Sequence, residues 1–138
     1  MSYSFSLLLM VMLGGSVGAG LRYMLSIAMA GWGWFIIPLP ILLVNVMGSL
    51  LMGLLVGWFS LQSPMLIEDI FGHGIAKKPI ELFMLTGLLG GFTTFSTFAL
   101  EAVTLMQKGA FTYALIYILA SVILSIAGLA LGLWLSLR

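Results

Sequence analysis

Apolar residues run along this chain in four long, nearly unbroken stretches, at about 5–28, 36–59, 80–106 and 111–135. Polar or helix-breaking groups separate them: Gly31-Trp32-Gly33, the segment from Gln62 to Pro79, and Gln107-Lys108-Gly109. A helix needs about 20 mostly apolar residues to cross the hydrocarbon of a bilayer, and each stretch supplies them. Strands of a membrane barrel alternate apolar and polar residues over segments of about ten, which these continuous runs do not. The pattern predicts an all-α membrane protein in which one domain, residues 1–138, carries four transmembrane helices.

Composition agrees. In 138 residues, 62% are hydrophobic and 7% charged, against about a quarter charged in an ordinary soluble domain. A soluble chain of this length has too little interior to hide so much apolar side chain. The first stretch is expected to stay as a span, because a signal peptide needs a basic n-region and a shorter apolar core. Ser2-Tyr3-Ser4 carries neither Lys nor Arg. With no cysteine, disulfides and thiolate metal sites are excluded. A net charge of +1 gives no electrostatic case for nucleic acid. An enzyme or ATP-driven pump is not expected: there is no P-loop glycine–lysine motif. The single histidine, His73, sits among Glu68, Asp69, Lys77 and Lys78 in a solvated loop, where no nucleophile–base pair can be built around it.

Four spans put the N-terminus, the second loop and the C-terminus on one side, with Lys77, Lys78 and Arg138; the other side has Lys108 and, near the end of the first helix, Arg22. Orientation follows the Lys/Arg excess of cytoplasmic loops. Three against two is almost no excess, a balance that permits insertion both ways and an antiparallel homodimer.

Within the first span, Gly14 and Gly18 are four apart, as are Gly15 and Ala19. Small residues on one face let helix backbones approach closely, which in lipid replaces the missing hydrophobic drive. Arg22 reads either as a snorkelling interfacial residue or as a positive charge at the mouth of an anion path. In the second span Ser49, Gly53 and Gly57 continue a small-residue stripe. Asn45 brings an amide about a third of the way into the span. It reads as interhelical glue, worth about 0.6 kcal/mol on average, or as an NH2 donor to an anion.

The third span holds Gly90-Gly91-Phe92-Thr93-Thr94-Phe95-Ser96-Thr97-Phe98. A glycine pair followed by two β-branched threonines is poor helix material and predicts a break near mid-span. Breaks at membrane depth are tolerated where the freed backbone faces protein or a wet cavity. They bind ions, with freed carbonyls facing cations and half-helix N-termini facing anions. Phe95 and Phe98 share a face, with Phe92 one turn earlier, and the positive edge of a phenyl ring suits an anion. Glu101, late in the span, reads as an interfacial carboxylate or as a vestibule or gating group. In the fourth span Tyr113, Tyr117, Ser121 and Ser125 stand at four-residue spacing. That places a column of hydroxyls on one face, ending at Leu129. Donor counting by itself points to a small anion.

Through Gly14-Gly15 to Arg22-Tyr23, Val44-Asn45 to Gly48-Ser49, and Gly90-Gly91 to Phe98, nearly the whole chain resembles the Fluc (CrcB) fluoride channels. The resemblance implies a passive, fluoride-selective channel in the cell inner membrane that lets cytoplasmic fluoride out. It implies a dual-topology antiparallel homodimer with two pores, in which Asn45, Phe95 and Phe98 contact the ion. Tyr117, Ser121 and Ser125 would form the polar track beside them, with Thr94, Ser96 and Thr97 at matching pore positions and Arg22 and Glu101 in vestibule or gating roles. It also implies a structural sodium ion at the dimer centre, held by the backbone carbonyls of Gly90 and Thr93. The Gln62–Pro79 loop is longer than is usual in that family. The rival expectation is a proton-coupled exporter of the small multidrug-resistance type. Such a protein needs a carboxylate deep in its first helix, and this first helix has no acid. A non-transporting helper subunit would explain the glycine seams but not Asn45, the break or the hydroxyl column.

Overall fold

The computed structural model describes residues 2–30, 37–62 and 79–138; the expectations placed on Gly31 to Gly33 and on the residues of the second loop between 63 and 78 lie outside these. Helix α1 is Ser2–Ala30 and α2 is Leu39–Gln62. The third span begins with α3, in which Pro79–Glu81 and Gly90–Phe92 flank a π-helical run, Leu82–Leu89. It resumes as α4, Phe95–Gln107, and α5 is Phe111–Ser136. Four segments are long and apolar enough to cross a membrane: Phe5–Ala30, Leu39–Gln62, Pro79–Gln107 and Phe111–Ser136. No strand occurs among the described residues, so the protein is an all-helical, multi-pass membrane protein.

Local chemistry sets the helix ends. Pro40 falls in the first turn of α2, where a missing N–H breaks no intrahelical bond. The α4–α5 turn is a Schellman motif: Ala110 N–H donates to the Leu105 carbonyl (3.0 Å) and Gly109 N–H to that of Met106 (2.9 Å). Gly109 takes φ of 74° there, a left-handed conformation that favours glycine.

Two glycine seams hold the helices together. Helix α1 runs beside α3: a Cβ added at Gly87 would lie 2.8 Å from the Val11 carbonyl oxygen, and one at Gly91 2.6 Å from that of Gly15. Helix α2 runs parallel to α5, with Gly128 against Val46, Gly53 against Leu129 and Gly132 against Leu50. Backbone contact at this range is what small residues offer in lipid. Large apolar side chains such as Leu100, Leu124 and Ile126 stay exposed, as they can where the solvent is hydrocarbon. A buried cluster of Ile41, Phe98, Ala102, Leu105, Ala114 and Tyr117 ties α2, α4 and α5.

The break falls at the two threonines rather than at the glycine pair. Gly90 and Gly91 are helical, and Gly91 is there because α1 leaves no room for a side chain. Thr93 (φ −74°, ψ 157°) and Thr94 (φ −152°, ψ 119°) are extended. Their hydroxyls give the interrupted backbone other partners: Thr93 Oγ1 donates to the Leu89 carbonyl at 3.0 Å, and Thr94 Oγ1 accepts from Thr97 N–H at 3.2 Å.

Candidate functional site

Asn45 is the partner of the broken backbone. Its Nδ2 donates to the Thr94 carbonyl (3.1 Å), and Thr94 N–H donates to its Oδ1 (2.9 Å). The amide thus serves as interhelical glue, although it has a second N–H and also lines the groove described below. In a continuous helix Thr94 N–H would bond the Gly90 carbonyl and Thr97 N–H that of Thr93. Asn45 takes the first donor and the Thr94 hydroxyl takes the second. The carbonyls of Gly90 and Thr93 are therefore released from helical pairing. The same break gives α4 a new N-terminus in mid-span, where helix geometry leaves the first N–H groups without intrahelical acceptors.

That N-terminus opens beside a groove of about 350 Å³ between α2, the break and α5. Asn45 and Ser49 line it from α2, Thr93, Thr94, Phe95 and Phe98 from the third span, and Ser121 and Ser125 from α5. Its remaining wall is apolar, including Met52, Ile126 and Leu129, and carries no charged side chain among the described residues. The groove therefore combines hydroxyl and amide donors with a low-dielectric surround, in which each donor acts strongly on an anion.

An aromatic file flanks it. Phe95 and Phe98 lie 5.4 Å apart at 49°, and Phe98 and Tyr117 5.4 Å apart at 44°. Such tilted pairs turn ring edges toward their neighbours. Phe95 is 78% exposed and Phe98 8%, so one ring projects from the protomer while the other is locked in its core. Phe92 does not share their face: it belongs to α3 and packs beside Gly48, because the extended threonines reset the helical phase. Tyr117 is fully buried behind Phe98, and its hydroxyl donates to Glu101 Oε2 at 2.6 Å. Ser121 is buried one turn further along, and its Oγ meets no partner at hydrogen-bond geometry.

The structure thus brings Asn45, Thr94, Phe95, Phe98, Ser121 and Ser125 to one groove, with Tyr117 and Glu101 joined behind it. Ser96 and Thr97 are not on its wall; their hydroxyls lie 3.2 and 3.1 Å from Thr94 Oγ1 and help cap α4. Arg22 is half-buried on α1, a helix that contributes nothing to the groove. Glu81 is buried at the start of α3, and no sequence pattern singles it out. Among the described residues, no group of three or more His, Cys, Asp and Glu side chains gathers to hold a metal. Ser49 and Met52, which sequence reasoning did not place at the site, line the groove. The spacing of Ser49 one turn after Asn45 is the signal that could have found it.

The family described as CrcB-like protein, Camphor Resistance (CrcB), matches residues 9–133. A Methylobacterium sp. protein named fluoride-specific ion channel FluC is 41% identical over 124 residues, 90% of each chain. A protein of the same name from Methylobacterium nodulans is 42% identical over 125 residues, 91% of each chain. Another from Hyphomonas neptunium is 39% identical over 135 residues, 94% of each.

Proposed function

The chain belongs to the CrcB-like family, and on that footing we propose that it is a passive, fluoride-selective ion channel. The observation that carries the reading is the groove. Its hydroxyls and amide stand where a helix is broken open at mid-membrane, beside a file of phenyl rings. Fluoride is small and tightly hydrated, so a pore must replace its water with closely spaced donors. Ser121 and Ser125 supply hydroxyls along α5, Asn45 retains an amide N–H, and the N-terminus of α4 adds the positive end of a helix dipole. Phe95 and Phe98 narrow the route. Tyr117 and Glu101, bonded to each other, hold the rear of the file, with Glu101 in a gating role and Arg22 in a vestibule role outside the groove. Ser96 and Thr97 act through the Thr94 cap.

Two further features belong to the same proposal. The functional unit is an antiparallel homodimer: the groove is open on one protomer, Phe95 projects from it, and the near-balance of Lys and Arg permits insertion both ways. The Gly90 and Thr93 carbonyls would hold a sodium ion. Oxygen donors suit a hard cation, and the diversion of the Thr94 and Thr97 N–H groups leaves both carbonyls free of helical bonds. Bound there, sodium supplies positive charge beside an anion path. In a bacterial inner membrane the channel lets fluoride leave under the membrane potential, about 2.3 kcal/mol per charge per 100 mV. This lowers cytoplasmic fluoride that entered as neutral hydrofluoric acid.

The proton-coupled exporter is not supported. Relatives across this length are named fluoride channels, and the described part of α1 carries no Asp or Glu. Current through the reconstituted protein in a planar bilayer distinguishes the two. A channel passes fluoride current in proportion to voltage at equal pH on both sides; a flux that needs a pH gradient would overturn the reading.

A further inference from the structure

The hydroxyl column of α5 stops short of the groove it serves. After Tyr117, Ser121 and Ser125 the next position in register is Leu129, yet the groove continues along Ile126, Leu129 and Met52. An ion leaving Ser125 in that direction would meet only hydrocarbon on the α5 wall.

The opposite wall differs. Ser49 follows Asn45 by four residues, which puts it on the same face of α2 one turn on, and it lines the groove. The parallel packing of α2 and α5 fixes its level: Val46 meets Gly128, and Gly53 meets Leu129. Ser49 therefore stands across from the place where the α5 column turns apolar. Its hydroxyl is also available. Ser60, Thr104 and Ser136 bond back to carbonyls three or four residues earlier, whereas no such bond ties Ser49. Ser121 lines the same groove from α5, and its buried Oγ meets no protein partner at hydrogen-bond geometry.

We propose that Ser49 is an ion-contacting residue that carries the donor line from α5 across to α2 where the α5 column ends. The inference rests on the fluoride-channel reading. It gives the groove a path of alternating walls: Ser121 and Ser125 on α5, Asn45 beside them, then Ser49. A serine that only packs would have its place taken by alanine without effect on conduction.

Two variants in liposomes loaded with potassium fluoride test this. Ser49→Ala is expected to elute as the wild-type assembly but to release fluoride about tenfold more slowly, the change expected on losing one hydrogen bond to an ion. Ser49→Cys is the sole thiol in a chain without cysteine. In nitrate buffer, silver ion is expected to stop its efflux while leaving the wild type unaffected. If the wild type itself releases no fluoride, the channel reading fails and this inference with it. If the wild type conducts, Ser49→Ala matches its rate and silver leaves Ser49→Cys unchanged, Ser49 is a packing residue and the inference is overturned.

Discussion

Asn45 and Thr94 close a ring of two hydrogen bonds, at 3.1 and 2.9 Å, between the side-chain amide of one helix and the backbone of another. The ring does two things at once. It satisfies the N–H that the extended conformation of Thr94 takes out of the helix, and through the Thr94 carbonyl, which as that of an N-cap also accepts the first bond of α4, it fixes the mouth of the groove against α2. Leaving a buried donor or acceptor unsatisfied costs about 1–3 kcal/mol. Asn45→Ala is accordingly expected to lower the melting temperature of the detergent-purified protein by several degrees and to abolish fluoride efflux. Asn45→Asp keeps the acceptor for Thr94 N–H but sets a carboxylate against the Thr94 carbonyl. It should conduct no better than the alanine variant. Thermal unfolding followed by size exclusion, with efflux on the same preparations, checks both.

Thr94 acts through its hydroxyl as the N-cap of α4, with Ser96 and Thr97 gathered on it. Loss of such a cap costs about 0.5–2 kcal/mol. Thr94→Ser should keep near-normal stability and efflux, whereas Thr94→Val, close in shape, should lose both. Equal behaviour of the two would mean that the β-branch, not the hydroxyl, sets the break.

Phe95 and Phe98 differ in what holds them. Phe98 is buried between Phe95 and Tyr117, so Phe98→Ala opens a cavity and is expected to destabilise the fold by roughly 3 kcal/mol or more. Phe95 projects from the protomer, so Phe95→Ala should leave protomer folding intact while it slows fluoride efflux. Comparing thermal stability with flux for the two variants separates a packing role from an ion-path role.

The glycine seams give a contrast within one helix pair. A Cβ at Gly91 would sit 2.6 Å from the Gly15 carbonyl oxygen and 2.9 Å from its Cα, whereas one at Gly20 meets nothing within 4 Å. Gly91→Ala must push α3 off α1 and is expected to abolish assembly and efflux. Gly20→Ala should be neutral or slightly stabilising, since alanine favours the helix by about 0.8–1.0 kcal/mol. Expression, elution profile and efflux of the two variants are the measurements.

How much of this lies open in the sequence depends on range along the chain. The spans are legible because continuous apolar runs have one solution in lipid; the ends of α1, α2, α5 and the whole third span, Pro79–Gln107, fall within three residues of the runs that predict them. The break is legible as a break, from two glycines and two threonines in mid-span. Its position is not, because sequence cannot say that Gly91 is occupied by contact with Gly15 while Thr94 is free to turn away. Asn45 is marked as a polar residue needing a partner, but that the partner is the backbone of Thr94, 49 residues on, is a fact of tertiary packing. Phe92 looks like the first of three aligned rings and is not, since two extended residues shift the helical phase between it and Phe95. The hydroxyl column reads off its spacing of four; the turn of Tyr117 toward Glu101 does not.

The most direct test is anion efflux from liposomes containing the purified protein, loaded with potassium fluoride or potassium chloride and triggered with valinomycin. A fluoride-selective pore through the groove predicts rapid fluoride loss at a fluoride electrode, no chloride loss from matched vesicles, and fluoride loss slowed by Phe95→Ile or Asn45→Ala. Vesicles that hold their fluoride despite a well-folded protein, or that release chloride equally fast, would contradict it.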